Sequence, residues 1–160
     1  MSVKIIEAQT TDTETVRDLF RAYQAWLNVD ICFQGLEQEL ATLPGRYAAP
    51  KGVIYIAIDE DNAIACGAIR PVVDNPENSA ELKRLFVHED YRGKGIGKKI
   101  FYALMASAEE MGYDSIVLET LAIMKTAKSM YLNYGFELIS TCNQNADSDV
   151  EFYRYQFDKK

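Results

Sequence analysis

The spacing of hydrophobic residues predicts seven strands and four helices along the chain. Short runs of apolar or alternating residues predict strands over residues 3–8, 52–58, 63–73, 80–87, 115–121, 136–142 and 150–157. Apolar residues at intervals of three and four predict a first helix ending near Leu27 and helices over residues 36–43, 95–111 and 124–134. Thr11 and Glu14 have the spacing of a capping box, which predicts the start of the first helix.

Strands and helices alternate in the second half of the chain, where a helix that crosses over a sheet joins two parallel strands. The chain contains neither an internal repeat nor a linker-like segment. We therefore expect one domain over residues 1–160, of the α+β class, with a mixed sheet.

The strand at residues 80–87 has an irregular hydrophobic pattern. Leu82 and Leu85 are three positions apart, and side chains of a regular strand alternate between its two faces. One additional residue near Lys83 and Arg84 would bring both leucines to the same face. The sequence therefore predicts a β-bulge at this point.

Composition and charge argue against several classes of protein. A net charge of −7 is unfavourable for general nucleic-acid binding and mildly favours a cationic partner such as an amine. Apolar runs such as residues 53–58 are far shorter than the roughly 20 residues of a membrane span, so we expect a cytoplasmic protein without a membrane partner. Cys32, Cys66 and Cys142 form no metal-binding or disulfide pattern, which predicts reduced thiols and no metal site.

A glycine-rich turn lies between a predicted strand and a predicted helix. Gly93, Gly95 and Gly97 allow backbone N–H groups to converge on one anion at the positive end of the helix dipole. Six basic residues and only two acidic ones lie between Lys83 and Lys99. Basic residues at a helix start are unfavourable unless an anion binds there, so the turn predicts a phosphate site.

Other interpretations of this turn are weaker or less specific. It can be a tight turn with solvated lysines. A Walker loop requires Ser or Thr after Gly-Lys, and this chain has Gly95-Ile96 instead. The third glycine comes one position too early for a dinucleotide-binding fingerprint.

Three segments of the chain resemble the GNAT superfamily of N-acyltransferases. Arg92-x-x-Gly95-x-Gly97 is similar to the family signature, and residues 81–87 resemble the central strand before it. Ala127-x-x-Met130-Tyr131-x-x-x-Gly135-Phe136 resembles a later helix end of the family. The chain departs from the family at Met124, where many members have asparagine.

The resemblance implies an acetyl-CoA-dependent enzyme with a mostly antiparallel, twisted sheet of about seven strands and about four helices. It implies that strands 80–87 and 115–121 separate and that the pantetheine arm of acetyl-CoA pairs with backbone in the gap. The residues expected to bind acetyl-CoA are Phe86, Val87, Arg92, Gly93, Lys94, Gly95, Ile96, Gly97 and Lys98.

Acyl transfer to an amine needs a base for the ammonium and an acid for the departing thiolate. The resemblance places Tyr131 at the general-acid position, although its helical spacing also suits a buried tyrosine. Glu81 is the candidate general base; alternatively, it is a solvated carboxylate or an ion-pair partner of Lys83. His88 is expected to be a surface residue.

The resemblance nominates residues of the first two helices and late strands for the acceptor pocket, namely Trp26, Cys32, Phe33, Gln34, Lys125 and Tyr153. Each can also be a core or loop residue. The expected acceptor is a small-molecule amine, with a protein amine or a non-catalytic CoA-binding role as alternatives. The aromatic last strand is compatible with a homodimer.

Overall fold

The computed structural model describes residues 2–27, 35–142 and 149–158. Seven strands in this part of the chain are β1 Val3–Glu7, β2 Val53–Asp59, β3 Asn62–Pro71, β4 Ser79–Val87, β5 Ser115–Leu121, β6 Glu137–Cys142 and β7 Val150–Gln156. The α-helices are α1 Thr13–Leu27, α2 Leu36–Ala41, α3 Ile96–Glu110 and α4 Lys125–Tyr134. None of these helices is long and apolar enough to cross a membrane.

The strands form one sheet in the order β1-β2-β3-β4-β5-β7-β6. Every neighbouring pair is antiparallel except β4 and β5, which α3 connects by a crossover. The predicted α+β class and mixed, mostly antiparallel sheet are therefore confirmed. β7 lies between β5 and β6 because the chain passes along α4 to the outer strand and then turns back.

Two hydrophobic clusters cover the two faces of the sheet. Buried residues of α3 and α4, among them Ile100, Phe101 and Tyr131, pack on one face. Buried residues of α1 and α2, such as Phe20 and Leu40, pack on the other. Since each large apolar side chain contributes about 1.5–3 kcal/mol when fully buried, these two layers hold the helices against the sheet.

The bulge predicted in β4 is present. Gly67 of β3 lies opposite both Arg84 and Leu85, and Arg84 adopts a left-handed conformation with φ of 60°. As a result, Leu82 and Leu85 both pack in the cluster of α3. The register of β4 against β3 shifts here, as expected for an extra residue in an antiparallel pair.

The start of the first helix differs from the prediction. A 3-10 turn at Thr10–Asp12 precedes α1, and the carboxylate of Asp12 accepts a hydrogen bond of 2.8 Å from the backbone N–H of Gln9. Glu14 instead forms an ion pair with Arg17. The capping box predicted from Thr11 and Glu14 is therefore wrong, because the box forms between Gln9 and Asp12 at the start of the 3-10 turn. α1 begins at Thr13, one residue later than an N-cap at Thr11 implies.

Gly67 allows α3 to lie close to the bulge. A Cβ atom on Gly67 would be 2.8 Å from Cγ2 of Ile100 and 2.9 Å from Cδ1 of Leu104, both on α3. It would also be 3.1 Å from Cδ1 of Leu85. These distances are below ordinary van der Waals contact, so the glycine sets the separation between helix and sheet.

Replacing Gly67 with alanine is expected to lower the free energy of unfolding by about 1–3 kcal/mol, because the added methyl group overpacks this contact. Urea denaturation followed by circular dichroism measures the change. In a Leu104→Ala background, which removes one blocking methyl group, the same substitution should cost less. An equal cost in both backgrounds, or none in either, would contradict the packing argument.

Candidate functional site

A gap opens in the middle of the sheet where β4 and β5 separate. The two strands pair only from Ser79 to Leu82 and from Ser115 to Leu118. From Lys83 onward, the side of β4 that faces β5 has no strand partner among the described residues. A strand edge of this kind offers unpaired N–H and C=O groups to another extended chain. The separation predicted for these strands is therefore present.

The glycine-rich turn lies at the start of α3. Gly93 and Gly95 have φ of 78° and 80°, which are left-handed conformations that favour glycine. Gly95 is the N-cap of α3 and supplies no side-chain cap for the N–H groups of the first turn. The side chain of Ile96 is buried, so this residue can offer a ligand only its backbone. A Cβ atom on Gly97 would be 3.3 Å from Val87, which shows how closely α3 approaches the end of β4.

The basic residues of the turn have different surroundings. Nε of Arg92 donates a hydrogen bond of 2.9 Å to the carbonyl oxygen of Val87, and its guanidinium lies 4.0 Å from the ring centre of Trp26. Arg92 therefore ties the turn to the end of β4 and to α1. Lys94 and Lys98 are exposed, in the first turn of α3 or just before it. Nζ of each lysine lies 5.6 Å from an aromatic ring centre, that of Tyr91 for Lys94 and that of Tyr102 for Lys98. With respect to the helix dipole, their charges are unfavourable there unless an anion binds.

Tyr131 lies on α4 among aromatic side chains. Its ring centre is 5.5 Å from that of Phe101 and 5.8 Å from that of Phe136. Burial raises the pKa of the Tyr131 hydroxyl above its ordinary value near 10. Among the residues that the structure describes, none forms a hydrogen bond with this hydroxyl. The phenol is therefore protonated at neutral pH, as a proton donor must be.

Glu81 lies in the paired part of β4, opposite Val117. Its carboxylate accepts a hydrogen bond of 2.6 Å from Nε of Arg70 and lies 3.6 Å from Arg46. The ion pair considered between Glu81 and Lys83 is therefore wrong, since Arg70 and Arg46 are the partners of Glu81. To act as a base, Glu81 would have to take a proton while it is held by Arg70.

Lys83 pairs instead with Glu119, a residue that the sequence did not single out. The two side chains meet across the gap, with Nζ of Lys83 3.2 Å from Oε1 of Glu119, one position beyond the last paired residues of β4 and β5. Glu119 is the single charged residue of strand β5, which otherwise contains four apolar residues, Ser115 and Thr120. A lone carboxylate in a strand at the centre of the sheet is the sequence feature that could have indicated a site residue here.

A cavity of about 400 Å³ lies on the face of the sheet opposite α3, beside this pair. Its walls come from the connection between β3 and β4, from β4 and β5, and from β6 and β7. The charged residues that line it are Asp74, Glu77, Glu81, Lys83, Glu119 and Arg154. Four carboxylates and two cations therefore surround a space large enough for a small organic molecule.

The residues nominated for the acceptor pocket lie elsewhere. Trp26 is 42% exposed and contacts Arg92, whereas Tyr153 is buried and donates a hydrogen bond of 2.8 Å to Glu151. Burial raises the pKa of Tyr153 to about 12. Lys125 is exposed at the first residue of α4. None of these three lines the cavity.

The remaining nominated residues, Cys32, Phe33 and Gln34, lie outside the described residues. His88 is exposed, as expected. Within residues 2–27, 35–142 and 149–158, no three His, Cys, Asp or Glu side chains are grouped so that they could hold a metal ion.

Proteins of similar sequence are named as N-acetyltransferases. An uncharacterised N-acetyltransferase of Dictyostelium discoideum is 29% identical, with 96% of this chain and 98% of that protein aligned. The uncharacterised N-acetyltransferase YjgM of Escherichia coli K12 is 31% identical, with 80% of this chain and 78% of that protein aligned. These relatives extend over most of the chain.

Solved structures share the fold. A GNAT-family acetyltransferase from Staphylococcus aureus Mu50 superposes with a TM-score of 0.78 at 24% identity, covering 97% of this chain and 99% of that one. The PaiA N-acetyltransferase of Thermoplasma acidophilum, solved in complex with coenzyme A, gives a TM-score of 0.75 at 19% identity, covering 98% of this chain and 100% of that one. The family model of the GNAT acetyltransferases matches residues 14–136. This chain therefore belongs to the GNAT family of acetyltransferases.

Proposed function

We propose that this enzyme transfers an acetyl group from acetyl-CoA directly to an amine of a small molecule. The observation that carries this proposal is the gap between β4 and β5, with the glycine-rich turn at one end and the cavity beside it. The arrangement offers separate places for a phosphate-bearing donor and for a small acceptor.

In this proposal, the pyrophosphate of acetyl-CoA binds at the start of α3. Backbone N–H groups of residues 93–98 and the side chain of Lys98 donate hydrogen bonds to the phosphates. The pantetheine arm, which carries two amides, runs along the open edge of β4 at Phe86 and Val87. Two solved structures of similar fold support this donor: PaiA contains coenzyme A, and YncA of Salmonella typhimurium contains acetyl-CoA.

The cavity is the proposed acceptor site. It touches the first unpaired residues of β4 and β5, Lys83 and Glu119, and is walled by several segments of the chain. A space of about 400 Å³ suits a small molecule better than a peptide segment. Of its carboxylates, Glu77, Glu81 and Glu119 already pair with an arginine or a lysine. Asp74 is therefore the lining carboxylate that is proposed to meet a cationic amine. The acceptor and the donor then meet in the gap.

The reaction requires stabilisation of an oxyanion, a proton for the departing thiolate and a base for the proton of the amine. The neutral amine attacks the carbonyl carbon of the thioester, and a new C–N bond forms. Backbone N–H near Phe86 or Val87 stabilises the oxyanion, an effect worth roughly 3–4 kcal/mol in acyl-transfer enzymes. The C–S bond then breaks, CoA leaves as a thiolate, and Tyr131 supplies its proton while a carboxylate takes the proton of the amine.

Release of free thiol with a panel of amines tests the proposal. We expect turnover with at least one small cationic amine and weaker turnover with peptides that present the same amine. Turnover with peptides alone would favour the alternative, a protein or peptide acetyltransferase. If acetyl-CoA binds and no acceptor is turned over, the chain would instead be a CoA-binding regulatory module.

A single domain over residues 1–160, a cytoplasmic location and a homodimer all stay predictions. The last strand, β7, lies between β5 and β6 and not at an edge, so it cannot pair with a second subunit in the way the sequence suggested. The edge strand is β6, which has exposed hydrophobic residues, Leu138 and Ile139.

Replacing Tyr131 with phenylalanine is expected to lower kcat by about 100-fold with little change in the KM for acetyl-CoA, because only the proton donor is lost. Tyr134→Phe on the same helix is the matched control and should leave kcat unaltered. Burial raises the pKa of Tyr131, so this tyrosine keeps its proton at pH values up to 10. Over that range, we expect no decrease in the wild-type kcat from ionisation of Tyr131. An unchanged kcat in Tyr131→Phe, with chemistry rate-limiting, would remove Tyr131 from the mechanism.

Glu81→Gln and Glu119→Gln separate the two candidate bases. If Glu81 is the base, its variant loses the acidic limb of the pH profile of kcat/KM, whereas the Glu119 variant keeps it. The reverse result would assign the role to Glu119, whose carboxylate contacts Lys83 rather than two arginines. If both variants retain the wild-type profile, neither carboxylate is the base.

A further inference from the structure

The bulge of β4 is held by a buried ion pair with α2. Arg84 occupies the bulge, and its side chain is only 4% exposed. Its Nε lies 3.0 Å from Oε2 of Glu39, and its NH2 lies 3.0 Å from Oε1 of the same carboxylate. This is the bidentate geometry that orients an arginine most strictly.

The backbone of Arg84 is strained and is held from a second direction. Its φ of 60° lies in the left-handed region, which residues other than glycine adopt only where their surroundings hold them. The thiol of Cys66 on β3 donates a hydrogen bond of 3.2 Å to the carbonyl oxygen of Arg84. Side chain and main chain of this residue are therefore fixed from α2 and from β3.

Glu39 is itself fixed. Its Oε1 accepts a further hydrogen bond of 3.1 Å from Arg70 on β3, and Arg70 also holds Glu81. The Arg70 guanidinium lies 5.3 Å from the ring centre of Tyr47. The partner of Arg84 thus belongs to a network with little freedom to move.

The bulge directly precedes the residues proposed to meet the pantetheine arm. Phe86 follows Arg84 by two positions and packs against α1, with its ring 5.4 Å from that of Tyr23. Val87 accepts the hydrogen bond of Arg92 from the glycine-rich turn. A change in the angle of the bulge would therefore move the open edge of β4 relative to the phosphate site.

We propose that Arg84 is a positioning residue whose bidentate pair with Glu39 fixes the β4 bulge and so aligns Phe86 and Val87 with acetyl-CoA. This inference rests on the proposed placement of the pantetheine arm. It explains why arginine occupies a left-handed position where glycine would carry no strain.

A purely structural role of the pair makes different predictions. Replacing both members of a buried ion pair by apolar residues is often neutral or stabilising, whereas removal of one partner leaves a buried charge unpaired. The double variant Glu39→Met with Arg84→Met therefore removes the pair without leaving Arg84 unpaired, while Arg70 loses its bond to Glu39 and keeps its bond to Glu81. Arg84→Gly tests whether the left-handed backbone alone, without the pair to Glu39, is sufficient to align Phe86 and Val87. Glycine adopts this conformation readily.

The experiment measures the Kd of acetyl-CoA by calorimetry for the wild type, Arg84→Gly and the double Met variant. Glu37→Gln is the matched control, because Glu37 also lies on α2 and pairs with an arginine, Arg21, but its side chain is 74% exposed. All measurements are made where circular dichroism shows each variant fully folded. We expect Kd to rise by roughly tenfold or more in Arg84→Gly and the double variant, as for a lost charged hydrogen bond, and to stay unchanged in Glu37→Gln.

Hydrogen exchange of the Leu85, Phe86 and Val87 amides, measured without ligand, gives the second readout. Faster exchange in the Arg84 variants than in Glu37→Gln supports the positioning role. Wild-type Kd and wild-type exchange in a folded Arg84→Gly or double variant would overturn it. If faster exchange leaves Kd unaltered, Arg84 holds the bulge but the pantetheine placement is wrong, so the two proposals fail separately.

Discussion

The β-bulge at Arg84 is the constraint on which the rest of the site depends. β4 and β5 pair over four residues and separate where the bulge begins, so a sheet that is otherwise continuous contains an opening at its centre. A parallel pair normally continues its ladder, because unpaired backbone groups are costly away from water. In the proposed function, the amides of acetyl-CoA fill this opening and satisfy the free groups of β4.

The other parts of the site take their positions from this break. Gly67 lets α3 approach the bulge closely, and α3 begins beside the end of β4, where Arg92 binds the carbonyl of Val87. The lysines of the first turn then lie around a helix start that has no acidic residue of its own. On the opposite face, Lys83 and Glu119 meet across the gap at the edge of the cavity. In the proposed function, donor and acceptor reach the opening from opposite sides.

Local patterns in the sequence were sufficient for the elements and for the bulge, because both depend on the alternation of side chains within a few residues. Leu82 and Leu85 alone required the extra residue. The predicted capping box failed because Asp12 has the same spacing from Gln9 as Glu14 has from Thr11, and only the backbone conformation decides which box forms. The ion-pair partners of Glu81 and Glu119 could not be predicted from the sequence, because they depend on strand order and register. Arg70, Glu81 and Glu39, for example, come from three separate segments of the chain.

The most direct test of the central claim is amide hydrogen exchange of the wild-type enzyme with and without saturating acetyl-CoA. Binding in the gap should slow exchange at Phe86, Val87 and residues 95–98, where the open edge of β4 and the start of α3 meet the ligand. The strands β1 and β2, which lie away from the gap, should keep their exchange rates. Protection confined to other parts of the chain, or none at a saturating concentration, would contradict the placement of acetyl-CoA between β4 and β5.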